Sequence, residues 1–169
     1  MKSYKEYITE EFQNNGLTIF DIDQTLFFSF SQILVMKDSK VVRKLSSDEY
    51  NKDTLKPGES YNLSQFTDAE FFRKTSIPVK SVLYRLNYIL NSIEKSGRDS
   101  KVILLTARGN PDNLAVFRQK FKDYSINIDK IDIFFVGDTP GPADIKKKDV
   151  IRKFLITGKY SRIRLYDDA

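Results

Sequence analysis

Leu17-Thr18-Ile19-Phe20-Asp21-Ile22-Asp23-Gln24-Thr25-Leu26-Phe27 carries an apolar, β-branched run straight into two carboxylates. The run from Leu17 to Ile22 has no polar face, which is the pattern of a strand buried on both sides in a parallel sheet. In extended geometry Asp21 and Asp23 share a face. The carboxyl end of such a strand is where ligands bind in α/β folds. A polar turn with an aspartate helix cap would explain one of the two acids. It explains a pair poorly, because crowded carboxylates repel unless a cation or a proton sits between them.

Three further runs extend the pattern: Lys101 to Thr106, Ile131 to Val136 and Arg162 to Tyr166. The first two again look like buried parallel strands; the last alternates and belongs nearer an edge. Helical stripes lie between them. Val79, Val82, Leu83, Leu86, Ile89, Leu90 and Ile93 form one, with Pro78 in its first turn and Gly97 at its end. Asn110-Pro111 opens a second, with Leu114, Phe117 and Phe121 on one face. A third starts near Ala143, turns Ile151, Phe154 and Leu155 inward, and stops at Gly158. The first sixteen residues read as a short polar helix. Strands alternating with helices predict a doubly wound α/β sandwich of three layers around a mainly parallel sheet.

Residues 28–78 interrupt that alternation. Gln32 to Met36 and Lys40 to Leu45, joined at Lys37-Asp38-Ser39, predict a β-hairpin followed by polar loop with a turn at Pro57-Gly58. So long an excursion in a compact domain is usually functional. It reads as a flap inserted into a single domain that spans residues 1–169.

The 169 residues include no cysteine and no histidine, which excludes disulfides, zinc–thiolate sites and every mechanism that needs an imidazole. Carboxylates, lysine, hydroxyls and a hard metal ion are the chemistry left. No apolar run is long enough to span a bilayer and no signal peptide is visible, so a cytoplasmic setting without membrane partners is expected. The net charge of +5 is lopsided: residues 1–80 carry 11 basic and 12 acidic side chains, and residues 81–169 carry 17 and 11. An anionic substrate fits that excess.

The chemistry-bearing residues cluster at strand ends. Thr106-Ala107-Arg108-Gly109 follows the second strand, where a hydroxyl and backbone N–H groups suit a phosphate oxygen, or merely cap the next helix. Tyr166-Asp167-Asp168 closes the last strand with a second acidic pair. Lys146-Lys147-Lys148 opens the helix before it, against the helix dipole, so something negative nearby would compensate. Lys147 lies four residues before Ile151 and seven before Phe154, on their inward stripe. Lys148 is next in line; Lys146 is lateral.

These four pieces, in this order from Gly16 to Asp168, resemble the haloacid dehalogenase-like superfamily. The Thr-Ala-Arg, the hairpin insertion and the closing Tyr-Asp-Asp look like phage-encoded members and the phosphatase domains of nucleic-acid end-repair enzymes. The resemblance implies Asp21 as nucleophile and Asp23 as general acid/base. It implies that Thr106, Ala107 and a lysine of the triplet bind the transferring phosphoryl group. Mg²⁺ would be held by Asp21, Asp167 and the main-chain carbonyl of Asp23. Thr25, Arg108, Lys148 and Asp168 are the neighbours placed to support the site or touch substrate. Gly137-Asp138 also resembles a version of the last acidic motif and ranks second. An aspartate at position 23 favours a phosphatase over the dehalogenases and ATPases of that superfamily.

The expectation is therefore a phosphate monoester hydrolase acting on a nucleotide or a polynucleotide end, in the host cytoplasm if phage-encoded. A small-metabolite phosphatase, a phosphotransferase and a non-catalytic basic nucleic-acid-binding module are the alternatives. Arg108, Arg118, Lys120 and Lys122 would form a basic wall for a nucleic acid. Phe28, Phe30 and Tyr50 are candidate stacking surfaces, with packing of the flap onto the core as the blander role for the first two.

Overall fold

A computed structural model describes residues 15–168. Of the polar helix expected over the first sixteen residues, residues 1–14 lie outside that range, and Gly16 opens the first strand. Four strands form the central sheet: β1 (Gly16–Phe20), β7 (Lys101–Thr106), β8 (Asp132–Phe135) and β9 (Arg162–Tyr166). Their order is β8-β7-β1-β9 and every pairing is parallel. The chain is thus α/β, with a parallel sheet flanked by helices.

Side-chain alternation along β1 divides the core in two. Phe20, with Val102 and Leu104 of β7, packs against Leu83, Leu86 and Ile89 of α3 (Lys80–Ser96) and Phe117 and Phe121 of α4 (Leu114–Lys122). Leu17 and Ile19, with Ile103 and Leu105, pack against Val150, Ile151 and Phe154 of α5 (Ala143–Leu155). Helices therefore cover both faces. β1 and β7 are the inner strands, and their continuous apolar runs are buried throughout apart from the first residue of β7. β8 was expected to be buried too, yet it is an edge strand and three of its four residues are only partly covered. Its apolar content serves one covered face and a shared edge, which composition alone does not separate from a central strand.

Helix starts differ from the sequence expectation for local reasons. Pro78 is not in the first turn of α3; it pairs with Phe27 across the short ladder of β2 (Phe27–Phe28) and β6 (Ile77–Pro78). The helix begins at Lys80, after Val79 donates its N–H to Leu26 O. Likewise α4 begins at Leu114 rather than Asn110, because the Asn113 side chain accepts from Val116 N and caps the helix there. Leu114 and Leu155, expected inward, are exposed at the helix ends.

The excursion after β1 is closed at its base by the β2–β6 ladder. It carries its own antiparallel sheet, in order β4-β3-β5, from β3 (Ile33–Lys37), β4 (Lys40–Leu45) and β5 (Glu59–Asn62). Asp38 and Ser39, both at positive φ, make the two-residue hairpin turn. Ile33, Val35 and Leu45 form a small separate core with Tyr50, Tyr61 and Phe66. The stretch expected as polar loop holds α1 (Ser47–Tyr50), β5 and α2 (Ala69–Thr75). Two of these elements have four residues and one has seven, too short for a periodic signal. Arg43 organises them by pairing with Asp53 and Glu59, and the Tyr61 hydroxyl donates to Asp53. No helix among the described residues is long and apolar enough to cross a membrane.

Candidate active site

The sheet register assembles the acids. Phe20 of β1 is the parallel partner of Tyr166 of β9, and their rings stack at 4.4 Å. The next residue on each chain is an aspartate, so Asp21 and Asp167 leave adjacent strand ends side by side. Asp21 N extends the ladder by donating to Tyr166 O at 2.9 Å. Asp168 joins them: one carboxylate oxygen from each of Asp21, Asp167 and Asp168 lies within 4.8 Å of the others. Asp168 was expected only as a neighbour, and the Asp23 carboxylate is not in this cluster.

Helix α5 delivers the countercharge. Ile151 and Phe154 seat it on the sheet, and the same stripe carries Lys147 Nζ to 2.7 Å from Asp21 Oδ2 and 3.3 Å from Asp167 Oδ2. Lys146 instead donates to Thr139 O, and Lys148 pairs with Asp144 one turn away at the surface.

Burial dominates the electrostatics of Asp21. Its Oδ1 accepts from Ile22 N at 2.7 Å and its Oδ2 from Lys147, and both contacts favour the carboxylate. Removal from water outweighs them, and the Asp167 charge adds to it, so the Asp21 pKa is pushed up to about 6. Burial disfavours the Lys147 ammonium as well, but attraction to Asp21 and then Asp167 outweighs it and the pKa rises. Asp168 is also raised, by burial and then by its hydrogen bond to Asp167. Acids raised in this way sit where a cation is favoured.

Asp23 faces a different set of partners. Arg108 Nε reaches its two oxygens at 3.0 and 2.9 Å, and Arg108 Nη2 reaches Oδ1 at 2.7 Å. Thr106 is fully buried; its hydroxyl donates to Asp23 Oδ2 at 3.4 Å and accepts from Arg108 N at 3.2 Å. Thr25 Oγ1 is buried with no partner among the described residues, an orphan that polar satisfaction normally forbids. Gln24, at positive φ between the two, donates its side-chain amide to Ser29 O at the start of the flap.

The alternative acidic motif has another task. Asp138 accepts from Asn110 N at 2.7 Å and from the Asn110 side chain, knotting the loop after β8 to the loop after β7. Gly137 allows this close approach: a Cβ there would lie 2.5 Å from Ala107 O. The same approach lets Val136 N donate to Thr106 O and Gly137 N to Arg108 O, on either side of Ala107.

The expected basic wall does not form. Arg108 is buried against Asp23, and Lys120 is buried with Nζ donating to the carbonyls of Arg73 and Ser76. Arg118 and Lys122 both pair with Asp129. Tyr50 packs edge-on against Tyr61 inside the flap core. Phe28 and Phe30, by contrast, do not pack away: they are 49% and 51% exposed. What the sequence could not indicate was the flap's share of the site, Ser31 and Phe66 on Arg108, since neither lies in a motif. Comparison of the chain with protein-family models, curated proteins and solved structures found no match.

Proposed function

We propose that the protein is a Mg²⁺-dependent phosphatase of the haloacid dehalogenase-like kind, hydrolysing a phosphate monoester through an aspartyl phosphate on Asp21. The observation that carries this reading is the Lys147 bridge between Asp21 and Asp167 at neighbouring carboxyl ends of a parallel sheet. A buried carboxylate beside a fixed ammonium is what an anionic phosphoryl group needs from a nucleophilic site.

The donor set fits a hard cation. Three carboxylates with oxygens within 4.8 Å, two of them with raised pKa, suit Mg²⁺ held by few protein ligands and several waters. Asp21 and Asp167 would hold it, with Asp168 beside them and the Asp23 carbonyl as a further donor. When bound, Mg²⁺ supplies the positive charge that lets a phosphate dianion approach carboxylates.

The chain's own residues would then act in sequence. Lys147 neutralises the phosphoryl oxygens. Asp21 attacks phosphorus, and the bond to the leaving oxygen breaks as Asp23 gives that oxygen a proton. Asp23 next takes a proton from the water that attacks the aspartyl phosphate, which releases inorganic phosphate and restores Asp21. The Thr106 hydroxyl lies beside Asp23 and would bind the transferring phosphoryl group.

A nucleotide-sized substrate suits the flap. Phe30 lies between Ser29, which is bonded to Gln24, and Ser31, which is bonded to Arg108. Half exposed there with Phe28, it would offer a stacking face to a base. With Arg108 and Lys120 buried and Arg118 and Lys122 paired with Asp129 at the surface, few free basic groups line a groove for a polynucleotide, and a shallow salt dependence is expected. The test is hydrolysis of an aryl phosphate, stopped by EDTA and restored by Mg²⁺, followed by kcat/KM for a mononucleotide, an oligonucleotide end and a sugar phosphate at two salt concentrations. No hydrolysis under any condition defeats the phosphatase reading. A preference for the sugar phosphate defeats the nucleotide one.

A further inference from the structure

Arg108 follows Thr106 by two residues, yet its guanidinium touches neither Asp21, Asp167 nor Lys147 in any contact described above. Its side chain is 1% exposed, so it does not present itself to solvent or to an incoming phosphate. All three of its nitrogens are engaged. Nε and Nη2 hold the Asp23 carboxylate, as given above. Nη2 also donates to Ser31 Oγ at 3.0 Å, and Nη1 donates to Phe66 O at 3.3 Å. The guanidinium carbon lies 4.5 Å from the ring centroid of Phe72 and 5.5 Å from that of Phe66.

These partners belong to opposite ends of the flap. Ser31 is on the leg that leaves the catalytic acids; Phe66 is on the leg that returns. The two legs are also tied to each other, by Ser31 Oγ donating to Gln65 O and by Gln32 N donating to Gln65 Oε1. The loop bearing Arg108 grips the returning leg again one turn on, where Asp112 N donates to Thr67 O and Asp112 Oδ1 accepts from Ala69 N. One buried cation therefore joins three pieces of chain: the acid/base aspartate and both legs of the flap.

From this we infer that Arg108 is a positioning residue that couples the flap to Asp23. The fork sets the direction of the Asp23 carboxylate, and the fork's own position is set by Ser31, Phe66 and Phe72. A planar guanidinium with fixed donors transmits geometry in this way; a lysine ammonium, with one nitrogen, cannot hold Asp23 and both legs at once. The coupling is reciprocal: loosening the flap lets the carboxylate turn, and removing the carboxylate charge loosens the flap.

Two measurements test it. The first rests on the phosphatase reading and compares wild type with Arg108→Lys on an aryl phosphate with a good leaving group and on an alkyl phosphate. A correctly placed general acid matters for the poor leaving group, where it contributes on the order of 100-fold or more. The variant is expected to lose kcat/KM on the alkyl phosphate at least about tenfold more than on the aryl phosphate, because kcat/KM reports the steps up to departure of the leaving group and not the shared hydrolysis of the aspartyl phosphate. Equal losses on both substrates, or a rise in KM alone, overturn the positioning role. The second is independent of activity and follows amide hydrogen exchange in wild type, Arg108→Lys and Asp23→Asn. Both variants are expected to speed exchange at Gln32 and Phe66 while β1 and β7 stay protected. If Arg108→Lys does not fold, Asp23→Asn alone decides: unchanged flap exchange overturns the coupling, and faster exchange upholds it. Wild type inactive on both phosphates, with Asp23→Asn still loosening the flap, would discard the phosphatase reading and leave the coupling standing.

Discussion

Asp21 and Asp23 stand two residues apart and are held by opposite halves of the molecule. Asp21 belongs to the sheet: its neighbours are Lys147 on α5 and Asp167 just past the end of β9, placed by the packed stripe of one helix and by strand register. Asp23 belongs mainly to the flap side: its partner Arg108 is fastened by Ser31 and Phe66, and only the Thr106 hydroxyl at the end of β7 reaches it from the sheet. The first arrangement is rigid because moving it would unpack a core. The second depends on hydrogen bonds at the base of an insertion and on the packing of one buried guanidinium, so it would move with the flap. One aspartate is thus tied to the sheet, and its neighbour to the flap.

The largest effect should separate the two outright. Asp21→Asn is expected to abolish turnover of an aryl phosphate while far-UV circular dichroism stays unchanged. Asp23→Asn should lose most turnover yet still trap phosphate on Asp21, detectable by mass spectrometry of the acid-quenched protein. Phosphate found on another residue would break the assignment and the comparison with it.

Next comes the lysine. Lys147→Ala is expected to lower kcat on the order of 100- to 1000-fold, the cost of removing one preorganised charge donor. Lys148→Ala should stay near wild type, since Lys148 pairs only with Asp144 at the surface. The opposite ranking would mean that α5 seats one residue out of the register described here.

A smaller effect concerns stability. The folded Asp21 pKa of about 6 lies above its ordinary value of 3.8, so folding favours the protonated acid. That contribution is complete below pH about 4 and is lost as pH rises through 6, a difference of about 3 kcal/mol. In EDTA, the melting temperature of Asp21→Asn should therefore exceed that of wild type by more at pH about 7.5 than at pH about 4.5. Equal differences at both values would show that burial does not strain Asp21. With Mg²⁺ beside it the Asp21 carboxylate is favoured, so the acidic limb of the rate profile should lie below that pKa and move lower as Mg²⁺ is raised.

The smallest belongs to the flap. Ser31→Ala removes one of the bonds on Arg108 and should cost about 1 kcal/mol of local stability, read as faster exchange at Gln32. Turnover should fall less than for Arg108→Lys. A larger loss would mean that Ser31 touches the substrate.

The amino-acid sequence by itself determined the strands and the acids. Runs such as Leu17–Phe20 and Val102–Leu105 show little polar alternation, the pattern of strands covered on both faces, although the edge strand β8 carries a similar run. The helical stripe through Ile151 and Phe154 was enough to single out Lys147, because side-chain direction on a helix is a matter of local geometry. Partnership across the chain was another matter. That Arg108 would turn from a substrate toward Asp23, that Asp138 would knot two loops at Asn110, and that Arg118 and Lys122 would be taken up by Asp129 depend on which loops meet. The flap's α1, α2 and β5 were hidden because each is too short to show a period. Only the tertiary structure decided these. A charged side chain pairs with whatever opposite charge burial brings to it, and that choice is made by the packing of segments up to 85 residues apart.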